Sequence, residues 1–274
     1  MWKWINRGLV ILIVMLVILW WQWPRQRLEL VFCDVGQGDA TLVSWGKYQL
    51  LVDGGPDNSV LSCLGENMAF WDRKIELVVV THPQADHMTG IIEVVKRYQV
   101  EKLMMSQVEN RTPETEELKR VISERQVERG EVFDGDKLRL GEVELKVLWP
   151  IMDLMEASDV NEVSTVLLGS YDKFDFLLTG DAEERIEDVL RLTEKLKEVE
   201  VLKVGHHGSK TSTGEKFIKI VRPKLAVISV GKNNFGHPRQ EVLERLKILS
   251  VRVMRTDQDG AVKVVSDGKN WWLK

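Results

Sequence analysis

The chain has 274 residues, 44% of them apolar and 29% charged, with a formal net charge of −4. Those values exclude a disordered chain and leave enough apolar residues for a large core, in one large domain or two small ones. Two cysteines, Cys33 and Cys63, make neither a disulfide framework nor a zinc-finger spacing, and Cys33, inside an apolar run, reads as a small buried hydrophobe.

Residues 1–27 differ from everything after them. An apolar run from Leu9 to Trp21 is flanked by Trp2, Trp4 and Trp23, and the charged residues of the segment are Lys3, Arg7, Arg25 and Arg27. The run approaches the ~20 residues that cross a bilayer. Its tryptophans suit the two interfaces, and no small-residue cleavage site follows in "WQWPRQR". The expectation is an uncleaved single-pass anchor over residues 1–27. It would hold a domain of residues 28–274 at the cell membrane, on the extracytoplasmic side.

Beyond it, "LELVFCDVG" (28–36), "ATLVSW" (40–45) and "YQLLVDGG" (48–55) read as strands ending in Gly or Asp turns. "ELVVVTH" (76–82) is a continuous apolar run, the pattern of a strand covered on both faces. Apolar spacing predicts a helix in "TGIIEVVKRY" (89–98). A second is predicted in "TPETEELKRVISERQVER" (112–129), with Thr112 as its N-cap. Strands return at 131–150, 164–170 and 173–181, and 183–200 reads as a charged surface helix. "VEVLKVGHH" (199–207) and "PKLAVISVG" (223–231) are strands with a helical stretch between them. A helix over 238–249 and strands at 251–256, 261–265 and 271–274 close the chain. Two runs of strands with interleaved helices, and no low-complexity linker, give one α/β domain of two sheets with helices outside.

Charge is uneven. Residues 28–274 carry a net −8, yet residues 201–250 hold ten Lys/Arg against three Asp/Glu, and 150–200 hold five against fourteen. A basic block is ordinarily a solvated face. This one overlaps three of the chain's five histidines, which favours a binding surface.

The histidines sit at strand ends or tight turns: His82 and His87 in "THPQADHMTG", His206 and His207 in "VGHHGS", and His237 in "NNFGHP". Asp53 ends "LLVDGG" and Asp181 ends "FLLTGD". Polar residues gathered on loops past apolar strands fit a site on a rigid scaffold. Imidazole and carboxylate together suit a divalent metal that activates water.

"HPQADH" followed by Gly90, then "LLTGDAE" and "VGHHGS", resembles the metallo-β-lactamase superfamily. With "FCDVGQGDATLV", "LLVDGG" and "NNFGHP", the pattern over about residues 28–260 resembles one branch, the soluble hydrolase domain of the ComEC competence proteins. The resemblance implies an αβ/βα four-layer sandwich, here preceded by one transmembrane helix, with metals at the edge between its sheets. It implies His82 on one metal, Asp86 and His87 on the other, and Asp181 bridging. His206 would complete the second set, and His207 would turn toward substrate as a catalytic group. Asp53 would orient the metal loop.

The superfamily's most common pattern has histidines where this chain has Gln84 and Asn161. A neutral amide oxygen is a weaker ligand than imidazole. The expectation is therefore one tight and one weak ion, zinc by default with room for manganese. In "DVGQGDA", a hairpin turn competes with a supporting role for Asp34 and Asp39 near the metals. Asn233 and His237 are read as substrate contacts, with His237 also a proton donor. Lys210, Lys232, Lys203 and Arg239 would meet a phosphate backbone.

Function then reads as a membrane-anchored phosphodiesterase or nuclease acting on DNA, with Asp86 in the catalytic group and any uptake channel supplied by other subunits. The alternatives are hydrolysis of another extracellular phosphodiester, ester or lactone, and a non-catalytic DNA-uptake accessory.

Overall fold

A computed structural model of the chain describes Arg7, residues 9–15, Val17 and residues 25–274 apart from 107–109 and 153–158. In chain order the first half supplies β1 (Leu28–Phe32), β2 (Thr41–Trp45), β3 (Tyr48–Val52), α1 (Ser59–Asn67), β4 (Lys74–Val80), α2 (Ala85–Arg97), β5 (Gln99–Met105), α3 (Pro113–Arg125) and β6 (Glu128–Glu131). The second half supplies β7 (Lys137–Leu140), β8 (Val143–Trp149), β9 (Val166–Tyr171), β10 (Phe174–Leu178), α4 (Glu184–Leu192), β11 (Val201–Lys203), α5 (Glu215–Val221) and β12 (Leu225–Ile228). It closes with α6 (Gln240–Ile248), β13 (Arg252–Arg255), α7 (Thr256–Asp259), β14 (Val262–Ser266) and β15 (Trp271–Leu273).

One sheet has the order β15-β14-β1-β2-β3-β4-β5-β6 and the other β13-β12-β11-β10-β9-β8-β7. The last two strands return to the first sheet, beside β1. Each sheet joins antiparallel hairpins to a parallel stretch, β3 to β6 in the first and β10 to β13 in the second.

Side-chain alternation sends successive strand residues to opposite faces, and both faces are covered. Between the sheets, Leu30, Phe32, Leu50 and Val79 meet Leu145, Val147, Phe174 and Phe176. On the outer face of the first sheet, Val31, Leu51 and Val78 pack with Val60, Leu64, Met88 and Ile91 of α1 and α2. The second sheet's outer face packs Leu177, Leu202 and Ala226 with Ile186, Phe217 and Leu246 of α4 to α6. Three apolar layers in sequence make the four-layer α/β sandwich that the sequence led us to expect.

The expected membrane anchor is corrected. Among the described residues no helix is long and apolar enough to cross a membrane. The rest of the expected anchor up to residue 24 lies outside the described residues. The anchored architecture, the membrane partnership and the cell-membrane localisation are withdrawn with it.

The cysteines are corrected as well. Cys33, just past β1, and Cys63, in α1, form a disulfide with a Cα–Cα distance of 5.8 Å. It ties the start of the "DVGQGDA" loop to the first helix. Neither α1 nor β5 was expected, and α2 starts at Ala85 rather than Thr89.

Candidate metal centre

The parallel strands of both sheets end at one edge, and their carboxyl ends carry the polar residues. After β3, Asp53 takes a left-handed φ of 59° and its backbone N–H donates to Val79 O at 2.9 Å. Its carboxylate accepts from Thr81 N and Thr81 Oγ1, each at 2.8 Å, and lies 2.9 Å from His87 Nδ1. Burial raises the Asp53 carboxyl above its ordinary value, against the pull of His87. Asp53 thus fixes the His87 ring through Nδ1 and leaves Nε2 facing inward.

His87 is placed by the first turn of α2, whose N-cap Gln84 is extended. The turn sits close against the β3 loop: Gly54 N donates to His87 O at 2.6 Å, and Gly90 N to Gly55 O at 3.0 Å. A Cβ on Gly90 would lie 1.9 Å from Gly54 O, so that approach requires glycine. His82 follows β4, fully buried, with Nδ1 3.1 Å from Thr81 Oγ1. Its ring centroid is 4.1 Å from that of His87. Burial and the neighbouring His87 charge press His82 down to about 3, so its imidazole is neutral.

The second sheet supplies the opposite wall. Asp181 follows β10 and its N–H donates to Ser164 Oγ at 2.8 Å. Its carboxylate lies 3.3 Å from His87 Nε2 and 3.5 Å from His207 Nε2. After β11 the turn Gly205–Gly208 holds two left-handed residues in succession, His206 (φ 46°) and His207 (φ 51°). His207 points inward, with Nδ1 2.9 Å from Ser229 O and Nε2 3.3 Å from Asp86 Oδ2. Burial opposes its charge, but Asp181 and Asp39 outweigh burial and lift it to about 10. The Asp181 carboxyl is held far below its ordinary value, against burial, by the charges of His207 and His87.

Asp39 reaches the same wall from the "DVGQGDA" loop. Its N–H donates to Asp86 O at 3.1 Å, and a Cβ on Gly38 would lie 2.3 Å from that oxygen. The Asp39 carboxylate pairs with Lys203 and lies 3.5 Å from His207 Nδ1. Lys203 is buried, donates to Gly180 O at 2.8 Å and lies 3.8 Å from Asp181 Oδ1. It is therefore an internal counter-ion, and its expected contact with a phosphate backbone is corrected.

Four sets of ligand atoms emerge, each within 4.8 Å: His82/His87/Asp181, Asp86/His87/His207, Asp39/Asp181/His207 and Asp39/Asp53/His87. The donor chemistry fits a divalent cation. His82 Nε2, His87 Nε2, His207 Nε2 and both Asp181 oxygens are buried and make no hydrogen bond. Orphaned buried donors and acceptors are costly, and a cation is what such a set accommodates.

Other expected residues fall elsewhere. His206, and not His207, was expected among the ligands. The geometry reverses the pair: His206 lies outside the four sets, its side chain 23% exposed and its Nδ1 3.0 Å from Glu183 Oε1. Asp34 is exposed, accepts from Gly36 N at 3.3 Å in a turn contact, and is in none of the four sets. Gln84 Nε2 donates to Asn161 Oδ1 at 3.0 Å, so the two amides face each other.

Asn233 spends its side chain on its own loop. Nδ2 donates to Gly231 O and His237 O, and Oδ1 accepts from Phe235 N and His237 N, at 2.9 to 3.1 Å. It shapes the loop, and the expected substrate contact is corrected on that ground. Burial, with the charges of His206 and His207, holds His237 down to about 4. A neutral ring does not serve as the expected proton donor near pH 7. Lys210 and Lys232 are exposed on the neighbouring loops. The sequence reading missed Thr81, Ser229 and the inward role of Lys203. Only Lys203 left a signal, a charge between apolar Leu202 and Val204.

Residues 33–232 match the family model described as Metallo-beta-lactamase superfamily. The chain belongs to that superfamily. It is a metal-dependent hydrolase, with His/Asp clusters able to chelate a divalent ion. Among curated relatives it is 34% identical over 255 residues to ComE operon protein 3 of Bacillus subtilis (strain 168), covering 86% of this chain and 32% of the relative. It is 31% identical over 270 residues to Recombination protein 2 of Haemophilus influenzae, covering 93% of this chain and 31% of that protein. The superfamily member described here thus spans about a third of the length of these relatives. The fold is shared with the metallo-beta-lactamase fold protein YhfI from Bacillus subtilis (TM-score 0.57, 14% identity, 84% of this chain and 97% of that one). It is shared too with Zn(2+)-bound PqqB from Methylobacterium extorquens (TM-score 0.53, 12% identity, 80% and 85%).

Proposed function

We propose that this chain is a hydrolase unit of the ComEC type that cleaves phosphodiester bonds in a nucleic-acid strand. The observation that carries the reading is the convergence of unbonded, buried Nε2 atoms of His82, His87 and His207 on the Asp181 carboxylate. The substrate class is supported by the relative named Recombination protein 2 and by exposed Lys210 and Lys232 on the loops around the centre. No membrane anchor enters the reading.

Asp86, His87, Asp181 and His207 would hold the tighter ion. On the His82 side the Gln84–Asn161 amide pair stands where the common pattern supplies imidazoles, so a second ion there would be weak. Zinc suits the imidazoles, and the carboxylate-rich remainder admits manganese. When bound, the ion polarises a phosphoryl oxygen and lowers the pKa of water.

Asp53 keeps His87 in one tautomer, and Ser229 O does the same for His207. Asp86 has a 31% exposed side chain, unlike buried Asp39, Asp53 and Asp181, so solvent and substrate reach it. Its carboxylate takes a proton from the attacking water as the new O–P bond forms. The ester O–P bond then breaks, and the leaving alkoxide is protonated from solvent. His237, a neutral imidazole, donates a hydrogen bond to a non-bridging phosphate oxygen.

The test is metal analysis of the full chain, with assays of bis(p-nitrophenyl) phosphate and of single- and double-stranded DNA under zinc and manganese. The expected result is metal-dependent cleavage of phosphodiesters, lost in Asp181→Ala. Cleavage of a carboxylic ester or lactone with no phosphodiester turnover under either metal would overturn the reading.

A further inference from the structure

Phe235 stands at the tip of the loop between β12 and α6 with 64% of its surface exposed. Exposure of a large aromatic on a rigid loop is the unusual feature. The rigidity comes from Asn233, whose two amide donors and two acceptor positions are all satisfied inside the loop, one by the Phe235 N–H itself. The Phe235 ring is stacked on His237, with centroids 5.7 Å apart and planes at 28°. His237 meets His206 edge-on at 5.5 Å, and His206 Nε2 is 3.7 Å from Asp181 Oδ2. The aromatic is thus linked to Asp181 of the metal cluster through His237 and then His206, with exposed Lys232 and Lys210 on the flanking loops.

We propose that Phe235 is the specificity-determining residue of this site, a preformed platform on which an unpaired nucleobase stacks beside the scissile phosphate. This rests on the phosphodiesterase reading above. A planar base offers a π face to an exposed phenyl ring whatever its sequence, which gives strand recognition without base readout. Because the loop is already ordered, little conformational freedom is lost on binding. A paired base inside a duplex presents no free face, so the platform selects single strands or frayed ends.

The experiment measures binding of two fluorescein-labelled strands of equal length to the zinc- or manganese-loaded full chain by anisotropy. One is a single-stranded oligodeoxynucleotide and the other carries tetrahydrofuran abasic sites throughout. Wild type should prefer the base-bearing strand. Phe235→Ala should reduce the ratio of the two affinities about tenfold, in line with alanine substitution at stacking aromatics, and Phe235→Tyr should restore it.

An equal loss on both strands would overturn the platform and leave Phe235 as a general contact, and an unchanged ratio would overturn it outright. Parallel cleavage assays separate this from the parent reading. A Phe235-dependent preference with no hydrolysis sinks the phosphodiesterase alone. Hydrolysis of both strands at equal rates, indifferent to Phe235, sinks the platform alone.

Discussion

His206 and His207 are adjacent, share a left-handed turn and meet opposite fates. One ring is buried against Asp181 and Asp86, and the other pairs with Glu183 at the rim. His207→Ala should therefore strip bound metal from the purified chain, by at least tenfold in affinity, while His206→Ala should retain it. Inductively coupled plasma analysis after dialysis measures both, and metal loss in His206→Ala alone would reverse the assignment.

Glu187 shows the same physics away from the centre. Its buried carboxylate accepts from Thr213 N at 2.6 Å and Gly214 N at 2.8 Å, the residues leading into α5. Burial lifts it to about 7 despite those bonds. The folded state then holds this proton more tightly than the unfolded chain, whose carboxyl ionises near 4.5. The contribution to stability is full below about pH 4.5 and is lost as pH rises to 7, on the order of 3 kcal/mol. Urea denaturation between pH 5 and 8 should show that slope in wild type and a flatter one in Glu187→Gln. The same slope in both would sink the assignment.

At the scale of elements, what could be read from sequence was whatever obeyed one period. Strands β1, β4 and β10 carry apolar residues on both faces and were legible, as was the Thr112 cap of α3, whose side chain accepts from Thr115 N. Strand β6, "ERGE", has no apolar residue to betray it. Strand β5 carries exposed Glu101 and half-buried Lys102 in its amino-terminal half, and charge hid its three buried carboxyl-terminal residues. The start of α2 was hidden by function itself: His87 occupies the buried face where periodicity calls for an apolar residue.

His82 and Asp181 stood out because each follows an apolar strand, whereas Asp86 and His87 stood out only through the spacing of "HPQADH", since they sit in the first turn of α2. The choice between His206 and His207 was not legible, because it depends on consecutive positive φ angles. The disulfide was equally invisible, since pairing across 30 residues depends on α1 lying over β1. Closing a loop of that length contributes about 3–4 kcal/mol. The double variant Cys33→Ser/Cys63→Ser should lose that much unfolding free energy, which at an m-value of about 2–3 kcal/mol/M lowers the urea midpoint by roughly 1–2 M. Reductant should bring wild type to the same midpoint, and a midpoint unmoved by either would show that the bridge adds nothing.

Over the whole molecule, the centre is where the two sheets are tied together by polar rather than apolar groups. Asp39, His82, Asp86 and His87 hang from the first sheet and its helices, whereas Asp181 and His207 hang from the second. An ion held by both walls cross-links the halves, so its binding energy belongs to global rather than local stability. It binds the folded chain and has no assembled site in the unfolded one. At a free ion concentration about 100 times Kd, that linkage adds about 2.7 kcal/mol. For a chain of this size it corresponds to a rise of roughly 5–10 °C in Tm. Zinc or manganese should therefore raise Tm of wild type by that amount, and chelator should reverse it. Because Asp181 faces both His87 and His207, Asp181→Ala should abolish the rise, and Gln84→Ala should leave most of it. Calorimetry with and without metal decides. A rise of equal size in Asp181→Ala would mean that the ion binds elsewhere on the surface and that the two walls are not joined through this site.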